Sequence, residues 1–144
     1  MKKTIIFLLA ITTFASLAFG NDAPVTPKEL EKSLITNFPG IKDFTWQKKD
    51  DVYIADFRED GIRHFAYFDA AANFLGVVRY ITTDNMPFKL VNEVKKRFGN
   101  FGKANAVEIT VANEETTYFM NVIHKDKFKA IKVHSDGAIE FIKH

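Results

Sequence analysis

Four histidines and the run His134-Ser135-Asp136 are the residues in this chain whose types could serve metal binding or nucleophilic hydrolysis. A bound metal needs several ligands converging on one point, and a hydrolytic triad needs a base held between its nucleophile and an orienting acid. The spacing supplies neither. Alternation of apolar and polar residues puts His124 at the turn end of a hairpin and His134 at its far end opposite Thr117, about 24 Å away at ~3.4 Å per residue. His64 falls opposite Phe57 as a half-buried sheet residue, and His144 is the last residue. Ser135-Asp136-Gly137 is ordinary turn chemistry, and consecutive residues in one turn cannot hold a base between its two partners. There is no Cys to act as a nucleophile and no Gly-x-Ser-x-Gly. Gly99-Asn100-Phe101-Gly102 lacks the spacing and the Lys of a phosphate loop. The acidic pairs Asp50-Asp51, Glu59-Asp60 and Glu114-Glu115 sit in turns, where solvated charge is expected rather than a general acid and base with separated pKa values. The expectation is a protein without catalytic activity, metal site or cofactor.

Recognition is the remaining chemistry. Arg63, Phe65, Tyr67 and Arg79, together with Phe119 and Lys132, are expected on one sheet face, mixing aromatic and cationic groups in the proportion that anchors protein interfaces. Asn121 and Phe128 belong to the same expected face. Trp46 lies on a strand without a fixed register, so either face is open to it.

The elements that position these residues come twice. Pro27, Leu30, Leu34 and Phe38 recur sixty positions later as Pro87, Leu90, Val94 and Phe98, and from Tyr53/Tyr118 to Phe74/Ile139 a second match runs at an offset of sixty-five. Two repeats, 26–81 and 86–144, would complete one core between them. Each opens with a helix of apolar residues four apart, stopped by Pro39-Gly40 in the first and by Gly99 in the second. Thr26-Pro27-Lys28-Glu29 supplies the first helix start, with Val25 and Leu30 placed as a staple. Period-two runs follow, near 41–47, 52–58, 62–69 and 74–81, then 105–111, 117–124, 127–134 and 138–143, which predicts an antiparallel meander. The Asp60-Gly61 turn fixes a register: Phe57 faces His64, Ala55 faces Ala66 and Tyr53 faces Phe68 on the face that the helices cover. The offset transfers this to Val122 with Lys129, Met120 with Ile131 and Tyr118 with Val133. The five extra residues of the second repeat lie between Phe98 and Tyr118, which predicts a longer loop leaving its helix.

Residues 1–20 read as a signal peptide. Lys2 and Lys3 precede an apolar stretch from Ile5 to Phe19, too short to span a bilayer, and cleavage before Asn21 or after Ala18 is suited by small residues. Removal takes two lysines and no acid, leaving 18 basic against 18 acidic residues. A neutral domain lacks the field that gathers phosphate backbones, so nucleic acid is a poor partner. Residues 21–144 are expected to form one domain, periplasmic or secreted, without stable membrane insertion.

Pro-x-x-Leu-x-x-x-Leu-x-x-x-Phe-Pro, followed by Trp46, Tyr53, Phe57 and the Tyr67-Phe68-Asp69 turn, resembles the PepSY-like, β-lactamase-inhibitor-like proteins exported by Bacteroidetes. The resemblance runs from Pro27 to Ile142. It implies an α+β fold: two tandem helix-plus-four-strand repeats forming one curved antiparallel sheet with helices on one face. It also implies binding, or inhibition, of a protein or peptide outside the cytoplasm through the open face. The alternative is a carrier of a small apolar ligand, which would need a closed cavity. One departure stands out, Ala72 where the second repeat has Gly137.

Overall fold

In the computed structural model, residues 28–143 are described. The expected signal peptide, the Thr26-Pro27 helix start, the Val25 staple and His144 lie outside them. Helix α1 (Lys28–Asn37) is followed by β1 (Phe44–Lys49), β2 (Val52–Glu59), β3 (Ile62–Asp69) and β4 (Phe74–Thr82). A 3-10 turn at Thr83–Asn85 leads to α2 (Phe88–Phe98), β5 (Asn105–Val111), β6 (Thr116–His124), β7 (Lys127–His134) and β8 (Ile139–Phe141). The eight strands form one antiparallel sheet in chain order, β1 to β8, which does not close on itself.

The expected registers hold on both hairpins. Phe57 faces His64, Ala55 faces Ala66 and Tyr53 faces Phe68; Val122 faces Lys129, Met120 faces Ile131 and Tyr118 faces Val133. Asp60 and Gly61 both take positive φ, 51° and 77°, the geometry that lets a two-residue loop follow the twist of its strands.

Both helices lie on one side of the sheet. Leu30 and Leu34 of α1 pack on Trp46, Ala55, Phe57, Ala66, Phe68 and Val77. Leu90, Val91 and Val94 of α2 pack on Ile81, Ala106, Tyr118, Met120, Ile131 and Val133. These two apolar clusters share a face because β4 carries Val77 in one and Ile81 in the other, four residues apart. Trp46 is thereby placed on the helix side, edge-on to Phe68 with ring centroids 5.7 Å apart.

Three expectations are corrected. The loops leaving the helices, 38–43 and 99–104, are equal in length, six residues each. Two of the five extra residues go into the β5–β6 turn, residues 112–115 against 50–51 in the first hairpin, where Asn113 takes φ 62° and Glu114 N–H bonds to Val111 O at 3.0 Å. The first strand starts at Phe44 and the last stops at Phe141, both shorter than the alternation suggested. The third correction concerns Arg79, whose face is set by a bulge in β4.

Ala72 adopts φ 63°, where Gly137 has 98°. The turn tolerates the side chain because Asp69 Oδ1 accepts both Ala71 N–H and Asn73 N–H at 2.9 Å, and Oδ2 accepts the Asn73 amide at 2.9 Å.

Candidate functional site on the uncovered sheet face

The face away from the helices carries an apolar layer of its own. Ile54, Tyr67, Val78 and Ile109 are buried there, with half-buried Val52, Phe65, Leu75, Val107, Val111 and Phe119 packed around them. Strand alternation dictates this: Ile54 faces Tyr67, Phe65 faces Val78 and Val78 faces Ile109, so one row crosses four strands. Next to this row the Tyr80 ring stands 49 % exposed and meets Phe65 edge-on at 5.8 Å.

Arg63 is fixed at one border of the layer. Its Nε and Nη2 donate to the two carboxylate oxygens of Asp56 at 3.1 and 2.6 Å, and the guanidinium lies 4.7 Å from the Phe65 ring centre. The Asp56 hydrogen bond raises the Arg63 pKa against the opposing effect of burial. A forked, stacked guanidinium of this kind is a rigid contact group. Across the sheet Phe119 faces Lys132, and Lys132 faces Glu140. Between the two borders lies an open groove of about 820 Å³, lined by Tyr80, Val107, Phe119, Asn121 and Ala130, with Lys103 at its rim.

Five of the six expected contact residues lie on this face; Arg79 does not. It pairs with His64 and Glu108 on the helix side, and Tyr80 occupies the expected position. The cause is a register shift between Tyr67 and Phe68, which leaves Leu75 as one extra residue in β4 and reverses the alternation beyond it. Without the bulge Arg63 and Arg79 would face each other. Tyr67 is on the expected face but only 5 % exposed, and burial pushes its hydroxyl pKa up to about 12. It supports the surface from beneath.

Arg79 belongs to a polar seam between the two helix-side clusters. Its Nη1 donates to Glu108 Oε1 at 2.8 Å, and Tyr118, opposite Glu108, is pushed up to about 12 by burial and by the Glu108 carboxylate. His64 is 4 % exposed, stacked on Phe57 at 5.0 Å, and donates from Nδ1 to Ile62 O at 2.9 Å. Its Nε2 lies 3.9 Å from Glu59. Burial is the main cause of its lowered pKa.

The other two described histidines do not converge with it. His134 pairs with Glu140 at 3.1 Å, and His124 packs against Phe98 and Phe141. Ser135 donates to Glu115 and Asp136 accepts from Ala138 N–H, so the His134-Ser135-Asp136 run is a turn tied to its neighbour loop. Among the described residues no group of three or more His, Cys, Asp or Glu side chains could hold a metal ion.

No family model matches the chain, and no curated protein matches it. Solved structures do. A BLIP-like protein from Bacteroides fragilis NCTC 9343 superposes with a TM-score of 0.67 at 21 % identity, covering 87 % of this chain and 94 % of that one. A DUF2874 family protein from Bacteroides uniformis ATCC 8492 gives 0.65 at 18 % identity over 79 % and 86 %. A protein described as periplasmic from Bacteroides eggerthii DSM 20697 gives 0.64 at 17 % identity over 81 % and 89 %. The BLIP-like side of the resemblance is supported by these neighbours; the PepSY-like side is not. No helix among the described residues is long and apolar enough to cross a membrane. At these identities the likeness is one of fold: the described residues form an α+β arrangement of two helices and one open, eight-stranded antiparallel sheet, similar to BLIP-like and DUF2874 proteins.

Proposed function

We propose that this chain is an exported, non-catalytic binding protein, an inhibitor-like modulator that meets another protein with its uncovered sheet face. One observation carries the reading: a continuous apolar row, buried at Ile54, Val78 and Ile109, that rises to half-buried Phe65 and Phe119 and to the exposed Tyr80 ring. A firm apolar centre bordered by a fixed Arg63–Asp56 pair and by Lys132 has the anatomy of a protein-binding patch. Arg63, Phe65, Phe119 and Lys132 are its contact residues, Tyr80 replaces Arg79 among them, and Tyr67 holds the floor. The BLIP-like and periplasmic neighbours agree with an inhibitor-like role outside the cytoplasm. Each half is a helix followed by four strands, which fits two tandem repeats sharing one domain. A carrier would enclose its ligand, whereas the groove on this face is open.

A photo-reactive amino acid placed at Tyr80, and in a second strain at Ile35 on the exposed side of α1, tests the reading in the producing cells. The expected result is a defined polypeptide adduct from position 80 and none from position 35. Equal adducts from both positions, or no polypeptide adduct at 80, would overturn it.

A further inference from the structure

The formal neutrality of residues 21–144 hides a local imbalance at the β6–β7 hairpin. Residues 121–132 carry Lys125, Lys127, Lys129 and Lys132 against one acid, Asp126. Whereas Arg63, Arg79, Lys96 and Lys103 each pair with a carboxylate, none of these four lysines does so among the described residues. Beside them stand two of the most exposed large apolar side chains, Phe128 at 80 % and Ile123 at 60 %. They are direct cross-strand partners on the uncovered face, whereas Lys127 and Lys129, opposite His124 and Val122, alternate to the other face, so the hairpin is amphipathic with cations across from its apolar pair. The other side of the hairpin is anchored, since Val122 packs under α2 and His124 against Phe98 and Phe141. The connecting residues Lys125 and Asp126 take φ 50° and 59°, a conformation that Asn-Gly would adopt at lower cost.

We infer that this hairpin docks on an anionic phospholipid surface, Phe128 and Ile123 entering the interface while Lys125, Lys127 and Lys129 meet the headgroup phosphates. The chemistry fits lipid better than a second protein. Lysine is depleted in protein interfaces, where arginine is favoured, and all four cations here are lysines. Flexible lysine stems let the charge reach headgroups while an adjacent ring sits deeper. Such contact is peripheral and leaves the central row around Tyr80 free.

Flotation of the exported, processed protein with vesicles tests this, comparing phosphatidylcholine alone with phosphatidylcholine plus phosphatidylglycerol. Binding is expected only with phosphatidylglycerol and should fall steeply as NaCl rises from about 0.05 to about 0.5 M. Each of Lys127→Gln and Lys129→Gln should weaken it about fivefold, and Phe128→Ala about tenfold. All three positions are exposed, so thermal midpoints should stay near wild type. Tyr80→Ala should leave vesicle binding unchanged, which separates this inference from the partner proposed for the central row. Equal binding to both vesicle types, no binding, or binding indifferent to the hairpin substitutions would overturn it. A requirement for Phe128 in the adduct formed at position 80, without vesicle binding, would give the hairpin to the protein interface instead.

Discussion

His64→Phe should remove a definite part of the acid sensitivity of this fold. His64 is buried and stacked on Phe57, faced by Arg79 and Glu108 across the strands and by Glu59 at 3.9 Å, and its pKa is lowered chiefly by burial. The unfolded chain therefore takes up this proton first as pH falls, near 6.5. Stability contributed by neutral His64 is complete above that value and drains away as pH drops toward the folded-state pKa, with a limiting slope of about 1.4 kcal/mol per pH unit for one proton. Phenylalanine keeps the ring stack but loses the Nδ1 hydrogen bond to Ile62 O, costing about 1 kcal/mol at pH 8. Urea unfolding at intervals between pH 8 and about pH 5, above the main carboxylate range, reads both quantities. The variant should start slightly less stable and show a flatter profile, so that the two curves converge or cross on the acid side. Parallel profiles would refute the argument, because the acid loss would then arise elsewhere.

Two further outcomes follow from the packing. Leu34 is fully buried under α1, and Leu34→Ala should cost about 2–5 kcal/mol by chemical denaturation, whereas Ile35→Ala on the exposed side of the same helix should cost no more than about 0.5. Ala72→Gly should stabilise the chain by up to about 1 kcal/mol, since glycine accepts the positive φ without the Cβ conflict; a lower thermal midpoint would contradict that account.

The strand order and both hairpin registers were legible because period-two alternation and a two-residue turn leave little freedom once one face must be buried. Arg79 shows where that logic breaks. A single unpaired residue, Leu75, reverses the alternation of β4; the local signal for it is Gly76, a glycine inside the strand pattern with φ 154°, which period-two alternation alone does not weigh. Trp46 could not be assigned because β1 has a partner on one side only, and its face follows from α1 packing over it. The 3-10 turn at Thr83–Asn85 escaped notice for a local reason: Asn85 caps Thr82 through its side chain, accepting from Thr82 N–H at 3.4 Å, a bond no periodicity reports. Of the site, the Arg63–Phe65 corner was visible as adjacent aromatic and cationic positions. Burial of Tyr67 was not, since it comes from the neighbouring strands and not from its own alternation. The hairpin lysines were hidden by a formal charge that sums to zero.

Every strand in the sheet lies beside its neighbour in sequence, with no crossover anywhere. Assembly therefore never requires a distant segment to be found before nearby ones are in place, and the entropy of closing long loops is largely avoided. A chain delivered gradually, one end first, can add each strand to the edge just completed. The exposed edge then moves along the polypeptide as it grows, so that aggregation-prone backbone is presented one strand at a time.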